Sequence, residues 1–114
     1  MIANGAKFLC EGANMPTTNE AIAYLQENGC KVGPSKAANA GGVACSCLEM
    51  SQNAQHIIFS EEDVYKQLEG IMVNIFKLSV DACERYGLGD NLIAGANIAG
   101  FEKVADAMLC QGIF

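Results

Sequence analysis

Apolar positions in this chain recur first at the spacing of strands and then at the spacing of helices. Residues 6–11 (AKFLCE) are a mostly apolar run of strand length. They lead directly into Gly12-Ala13-Asn14-Met15-Pro16, a polar loop containing a glycine. Thr17 with Glu20 three residues on predicts a capping box at a helix start, and Ile22 and Leu25 then fall on one face. Asn28-Gly29 ends that helix. Cys30-Lys31-Val32 follows as a short strand, stopped by Gly33-Pro34. Strand, helix and strand together fit the length of one βαβ unit, roughly 30 residues. Ahead of them, residues 2–6 end on a turn or helix-stop signal at Asn4-Gly5.

The rest of the chain reads as helical. Residues 36–53 (KAANAGGVACSCLEMSQN) open as a polar loop holding Asn39 and tighten through Ala40, Gly41 and Gly42. From residue 43 to 53 they become a helix, with Ser46 in its first turn. Paired glycines before a helix let backbone N–H groups approach a ligand, and the helix start favours a carboxylate or phosphate. The plainer alternative is a helix start with a flexible lead-in. Ser60 followed by Glu61, Glu62 and Asp63 predicts another cap. Val64, Leu68, Ile71, Met72, Ile75, Ser79, Ala82 and Cys83 then keep helical spacing as far as Tyr86-Gly87. Met72 and Phe76 read as core. His56, in the link before this helix, reads as a surface or packing residue. Residues 91–111 form a last helix with Gly95 and Gly100 inside it, each costing about 1 kcal/mol relative to alanine. Such glycines suggest a close approach to another backbone, or a bend. Apolar positions 92, 93, 98, 101, 104 and 108 cover a face wide enough to need burial on more than one side.

Composition narrows the function. At 114 residues the chain is at most one domain, and 51% apolar content is that of a folded protein. A net charge of −6, with no basic patch, argues against a nucleic-acid partner. No apolar run approaches a bilayer span and the first residues carry no signal pattern, so a soluble, cytoplasmic protein is expected. Six cysteines lie at 10, 30, 45, 47, 83 and 110 without a C-x-x-C pair, and His56 is next to none of them. Neither a metal site nor a disulfide framework is expected. Cys10, Cys30, Cys83 and Cys110 lie in apolar stretches and read as small core residues. Cys45 and Cys47, two apart on a helix, do not face each other and make a poor redox pair.

Candidate chemistry gathers after the two strands. Asn14 and Asn39 follow neighbouring parallel strands, so their loops emerge on one edge of the sheet, where α/β folds bind ligands. Asn14 could equally be an Asx-type turn residue. No G-x-G-x-x-G occurs, two strands do not make a stable open sheet, and no Lys, His and Asp set marks an acid–base centre. The pattern is that of half a fold.

Three segments carry a resemblance. EGANMPTTNEA (residues 11–21), KAANAGGVACSCLEMSQN (36–53) and YGLGDNLIAGANIAGFEKVADAMLCQG (86–112) resemble, in order, the C-terminal quarter of hexameric glutamate dehydrogenases. The similarity is strongest to the NADP-type enzymes of bacteria and lower eukaryotes. It implies an α/β fold in which residues 1–90 are the C-terminal half of a Rossmann-like dinucleotide-binding domain. Residues 91–114 would be a closing helix that packs back on an absent substrate domain. It makes residues 1–5 the end of an internal helix and Met1 an internal methionine or a truncated start. It implies reversible oxidative deamination of L-glutamate to 2-oxoglutarate and ammonium with NADP, or with NAD, in a homo-hexamer. By the same resemblance Asn14 and Asn39 lie on the cofactor side. Val43 and Ser46 lie in the substrate pocket, Ser46 against a carboxylate. The catalytic lysines and aspartate belong to the substrate domain, so no catalytic residue is assigned in this chain.

Two functional readings follow. In one, the chain is part of a glutamate dehydrogenase and is inactive by itself. In the other, it is a non-catalytic piece that associates through unpaired sheet edges and exposed helix faces.

Overall fold

The computed structural model describes residues 1–112, so the last two positions of the expected 91–114 segment lie outside the described residues. A turn of 3-10 helix, Ile2–Asn4, ends at Gly5 in the left-handed conformation. Strand β1 (Phe8–Leu9), helix α1 (Asn19–Glu27) and strand β2 (Lys31–Val32) come next. They are followed by α2 (Ser35–Ala38), α3 (Ala40–Gln55), α4 (Glu61–Arg85) and α5 (Leu92–Gln111). The chain is therefore mostly helical with one small sheet. The two strands pair in parallel, Phe8 opposite Lys31 and Leu9 opposite Val32, as the βαβ reading expects. Each strand keeps only two residues of the longer runs expected.

The cap of α1 moves by one residue. Thr18, not Thr17, accepts from the Ala21 amide at 3.3 Å. Thr17 instead donates its hydroxyl to the Glu11 carboxylate, which ties together the two ends of the loop between them. Glu20 is thus the second helical residue, and its carboxyl is held below the ordinary carboxylate range by its own backbone amide and then by Thr18. The cap of α4 matches its pattern: Ser60 Oγ accepts from the Asp63 amide at 3.1 Å and donates to the Asp63 carboxylate at 2.6 Å.

Burial is sparse. Leu25, Cys30 and Val32 form a small cluster with Ile2, Leu9, Ile22 and Ile93 packed around it. Elsewhere the buried residues are Ala44 on α3, Ser79, Ala82 and Cys83 on α4, and Gly95 on α5. The expected α4 face is the one turned inward, but Phe76 lies off it and is 59% exposed. Cys10 and Cys110 are also exposed, against their reading as core, while Cys30 and Cys83 are buried. On α5 the seated stripe is of small residues. A Cβ on Gly95 would run into the Ser79 carbonyl and the Cys83 thiol, so the two helix backbones meet there as closely as glycine permits. Nothing lies within 4 Å of a Cβ on Gly100, which is tolerated without being required.

The accessible surface is 8234 Å² and the radius of gyration is 17.0 Å. A compact chain of this mass would expose about 6,000 Å² and have a radius of about 13 Å. Large apolar side chains stay uncovered on the helices of this chain, among them Val73, Phe76, Phe101, Val104 and Leu109. Among the described residues, no helix is long and apolar enough to cross a membrane.

Candidate functional site

Strand β1 delivers the chain into the loop that carries Asn14. Met15 takes a left-handed conformation there (φ 51°), uncommon for a residue with a side chain, and turns the backbone back towards Thr17. With the Thr17–Glu11 hydrogen bond closing its base, the loop holds Asn14 at its exposed tip. Strand β2 ends at Gly33-Pro34, and α2 begins one residue later.

The expected polar loop around Asn39 is helical. Asn39 is the single joint between α2 and α3, with φ −79° and ψ −8°, so α3 already begins at Ala40. Gly41 and Gly42 therefore sit inside its first turn, and Ser46 lies one turn deeper than its spacing suggested. Glycine is a weak helix former, and packing against α4 makes up for it here. A Cβ on Gly41 would be 3.4 Å from the Met72 sulfur and 3.7 Å from Leu68. Gly42 faces the other way, with nothing within 4 Å. One glycine thus permits a close helix contact, and its neighbour leaves the backbone open towards the cavity.

That cavity, about 590 Å³ and widely open, is lined by Asn14 and Gly12 from the β1 loop and by Asn39, Gly42, Val43 and Ser46 from the start of α3. All four residues singled out in the sequence are therefore brought to one place, from segments far apart in the chain. Asn14, Val43 and Ser46 are exposed and Asn39 is half-buried, so these polar groups are free for a ligand. Two carboxamides and a hydroxyl can each donate and accept. Such a set suits a ligand carboxamide or carboxylate.

Lys36 lines the same cavity and went unrecognised, because it marked only the start of the 36–53 stretch. Its place three residues before Asn39, within one helical turn, was the available signal. Among the described residues no acidic side chain lines the cavity, and His56 lies at the far end of α3, where it caps the helix in a left-handed conformation.

A family model for Glutamate/Leucine/Phenylalanine/Valine dehydrogenase matches residues 1–112. The chain is 54% identical over 114 residues to the NAD-specific glutamate dehydrogenase of Clostridium symbiosum, covering 99% of this chain and 25% of that protein. It is 53% identical over 115 residues to the NADP-specific glutamate dehydrogenase of Escherichia coli, again covering 99% and 25%. Among solved structures, one glutamate dehydrogenase superposes with a TM-score of 0.92 at 53% identity, over 98% of this chain and 25% of that one. A Plasmodium falciparum glutamate dehydrogenase gives 0.92 at 48% identity, over 99% and 24%. The chain spans about a quarter of the length of these relatives.

Proposed function

This chain belongs to the Glutamate/Leucine/Phenylalanine/Valine dehydrogenase family, and we propose that it forms one wall of the site of a glutamate dehydrogenase. The reaction is the reversible oxidative deamination of L-glutamate to 2-oxoglutarate and ammonium. NADP is the proposed cofactor, with NAD as the alternative, since relatives of each specificity are similar to this chain. The observation that carries the reading is the convergence of Asn14, Asn39, Val43 and Ser46 on one open cavity.

In this reading residues 1–90 are the C-terminal half of a Rossmann-like domain, and β1 and β2 are two strands of its larger sheet. The bound nicotinamide supplies the hydride acceptor. Asn14 would hold the nicotinamide ribose and Asn39 would lie beside the nicotinamide ring and the substrate, since each carboxamide can both donate and accept there. Ser46 donates its hydroxyl to a glutamate carboxylate, and Val43 supplies apolar contact beside it. The open backbone at Gly12 and Gly42 leaves room for both ligands. Transfer requires substrate and nicotinamide to be held together, so the proton-transferring lysines and aspartate must come from the facing substrate domain. The far half of α5 is the part that would pack on that domain, within a homo-hexamer in the cytoplasm. Phe101 and Leu109, 65% and 84% exposed, are the surface it offers.

The test is a chimera in which this chain replaces the matching quarter of the Clostridium symbiosum enzyme. It should reduce NAD with glutamate, while the isolated chain should show no turnover. A chimera that folds and assembles without glutamate-dependent turnover overturns the reading.

A further inference from the structure

Among the described residues, Lys36 is the only charged one lining the cavity, in a chain whose net charge is −6. It stands on α2, one turn before Asn39, and so on the same side of the helical joint as the other polar groups. Its ammonium donates to the side-chain oxygen of Asn97 on α5 at 3.3 Å. That partner is a neutral amide, so it directs the ammonium without cancelling its charge. Where lysines of this chain do meet carboxylates, the contact is of a different kind: Lys31 pairs with Asp90 at 2.7 Å. Lys36 forms no such pair among the described residues. Glu11 lines a neighbouring crevice that Lys36 also reaches, but its carboxylate is engaged by Thr17.

An exposed ammonium with no carboxylate partner among the described residues, beside two carboxamides and a hydroxyl, favours a negatively charged group in the space they share. We infer that Lys36 is a ligand-binding residue of this site, contacting an anionic group, and that Asn97 is a positioning residue that holds the ammonium in place. The inference rests on the functional reading above and adds a contact to it. The anion is a carboxylate of the substrate or a phosphate of the cofactor. The link has a second consequence. Asn97 belongs to α5, so the hydrogen bond ties the cation of the cavity to that helix.

The test uses the same chimera, with Lys36→Met, Lys36→Arg, Asn97→Ala and the double variant. Loss of a charge-assisted contact should raise one KM about tenfold in Lys36→Met, with kcat within about twofold. A rise confined to glutamate assigns the substrate carboxylate, and a rise confined to NAD assigns the cofactor phosphate. Lys36→Arg should restore most of the affinity. Asn97→Ala should raise the same KM about threefold and add nothing to Lys36→Met, because it acts only through the lysine. Binding of 2-oxoglutarate and of NAD, followed as ligand-induced shifts in melting temperature, gives the same comparison without turnover. If the unmodified chimera binds and turns over but Lys36→Met leaves both KM values unchanged, this inference falls and the functional reading stands. If Asn97→Ala adds to Lys36→Met, the positioning role falls. If the unmodified chimera folds and binds neither ligand, both readings fall.

Discussion

The seam between α4 and α5 and the pair β1–β2 are both places where this chain packs on itself, and they are built in opposite ways. The seam is finished. Small residues bring the backbones together at Gly95, Ser79, Ala82 and Cys83, and Asn91 caps α5 by accepting from the Ala94 amide at 3.2 Å. At its far end Arg85 grips the Glu102 carboxylate with two bonds of 2.6 Å, and the Tyr86 hydroxyl donates to the same group at 3.0 Å. The sheet is unfinished. Two residues per strand leave both outer edges without a neighbour, over a buried cluster of three side chains. Helices can complete their hydrogen bonds within themselves, so a helical seam can stand on a few good contacts. A sheet needs neighbouring strands, and three or more are usually required. The candidate site hangs on the unfinished side.

The largest effect that would sharpen this contrast concerns the isolated chain. It should associate, or lose its sheet-side structure, while keeping substantial helix. Size-exclusion chromatography with circular dichroism measures both, and a sharp monomer with a single cooperative melt would show that the sheet is self-sufficient. Next comes the seam. In the chimera, Gly95→Ala should cost about 2 kcal/mol in urea unfolding, because the fixed Ser79 carbonyl cannot yield and the overpacking outweighs the helix propensity gained. Gly100→Ala, with open space around it, should stabilise by about 0.5–1 kcal/mol. If the two changes behave alike, the close approach at Gly95 is not what holds α5.

A smaller effect belongs to the cavity. Ser46→Ala in the chimera should raise the KM for glutamate about tenfold, the loss of one hydrogen bond to a charged group. Its unfolding midpoint should stay unchanged, because Ser46 is exposed. The smallest effect is the pH response of the clamp. Hydrogen bonding from Arg85 first, and then from Tyr86, holds Glu102 below the ordinary carboxylate range, while its partial burial works the other way. A lowered folded-state value means that its stabilising contribution is present above the ordinary carboxylate pKa and is lost as pH falls through the folded value. The melting temperature of the chimera should therefore fall more steeply with acid than that of its Glu102→Gln variant. Parallel curves would show that the clamp contributes nothing to the seam.

Helix-forming patterns were legible at α4, where a polar cap and a repeat of apolar residues act within single turns. Asn14, Asn39, Val43 and Ser46 stood out as candidate site residues mainly through the resemblance of their surrounding motifs. What their spacing added was that two loops follow parallel strands and share an edge. The lead-in to α3 was misread because glycine pairs signal flexibility locally, whereas packing of α3 on α4, with Met72 and Leu68 beside Gly41, holds them in a helix. Thr17 was misread as a cap because its partner Glu11 lies behind it, across a loop that pattern reasoning does not close. Lys36 carried no signal strong enough to single it out, since its meaning depends on Asn97 and the cavity.

By itself the sequence determined the long helices α4 and α5, the parallel strand–helix–strand unit and the acidic charge. These rest on short-range physics: caps, periodicities and turn residues act over a few positions. Only the tertiary structure decided which glycine is packed and which is open. The same holds for the seating of α5 by its small residues, with Phe101, Val104 and Leu109 left exposed, and for the meeting of the Asn14 loop, the Asn39 joint and Lys36 around one cavity. Those outcomes depend on contacts between residues distant in the chain, and no local pattern encodes the space between them.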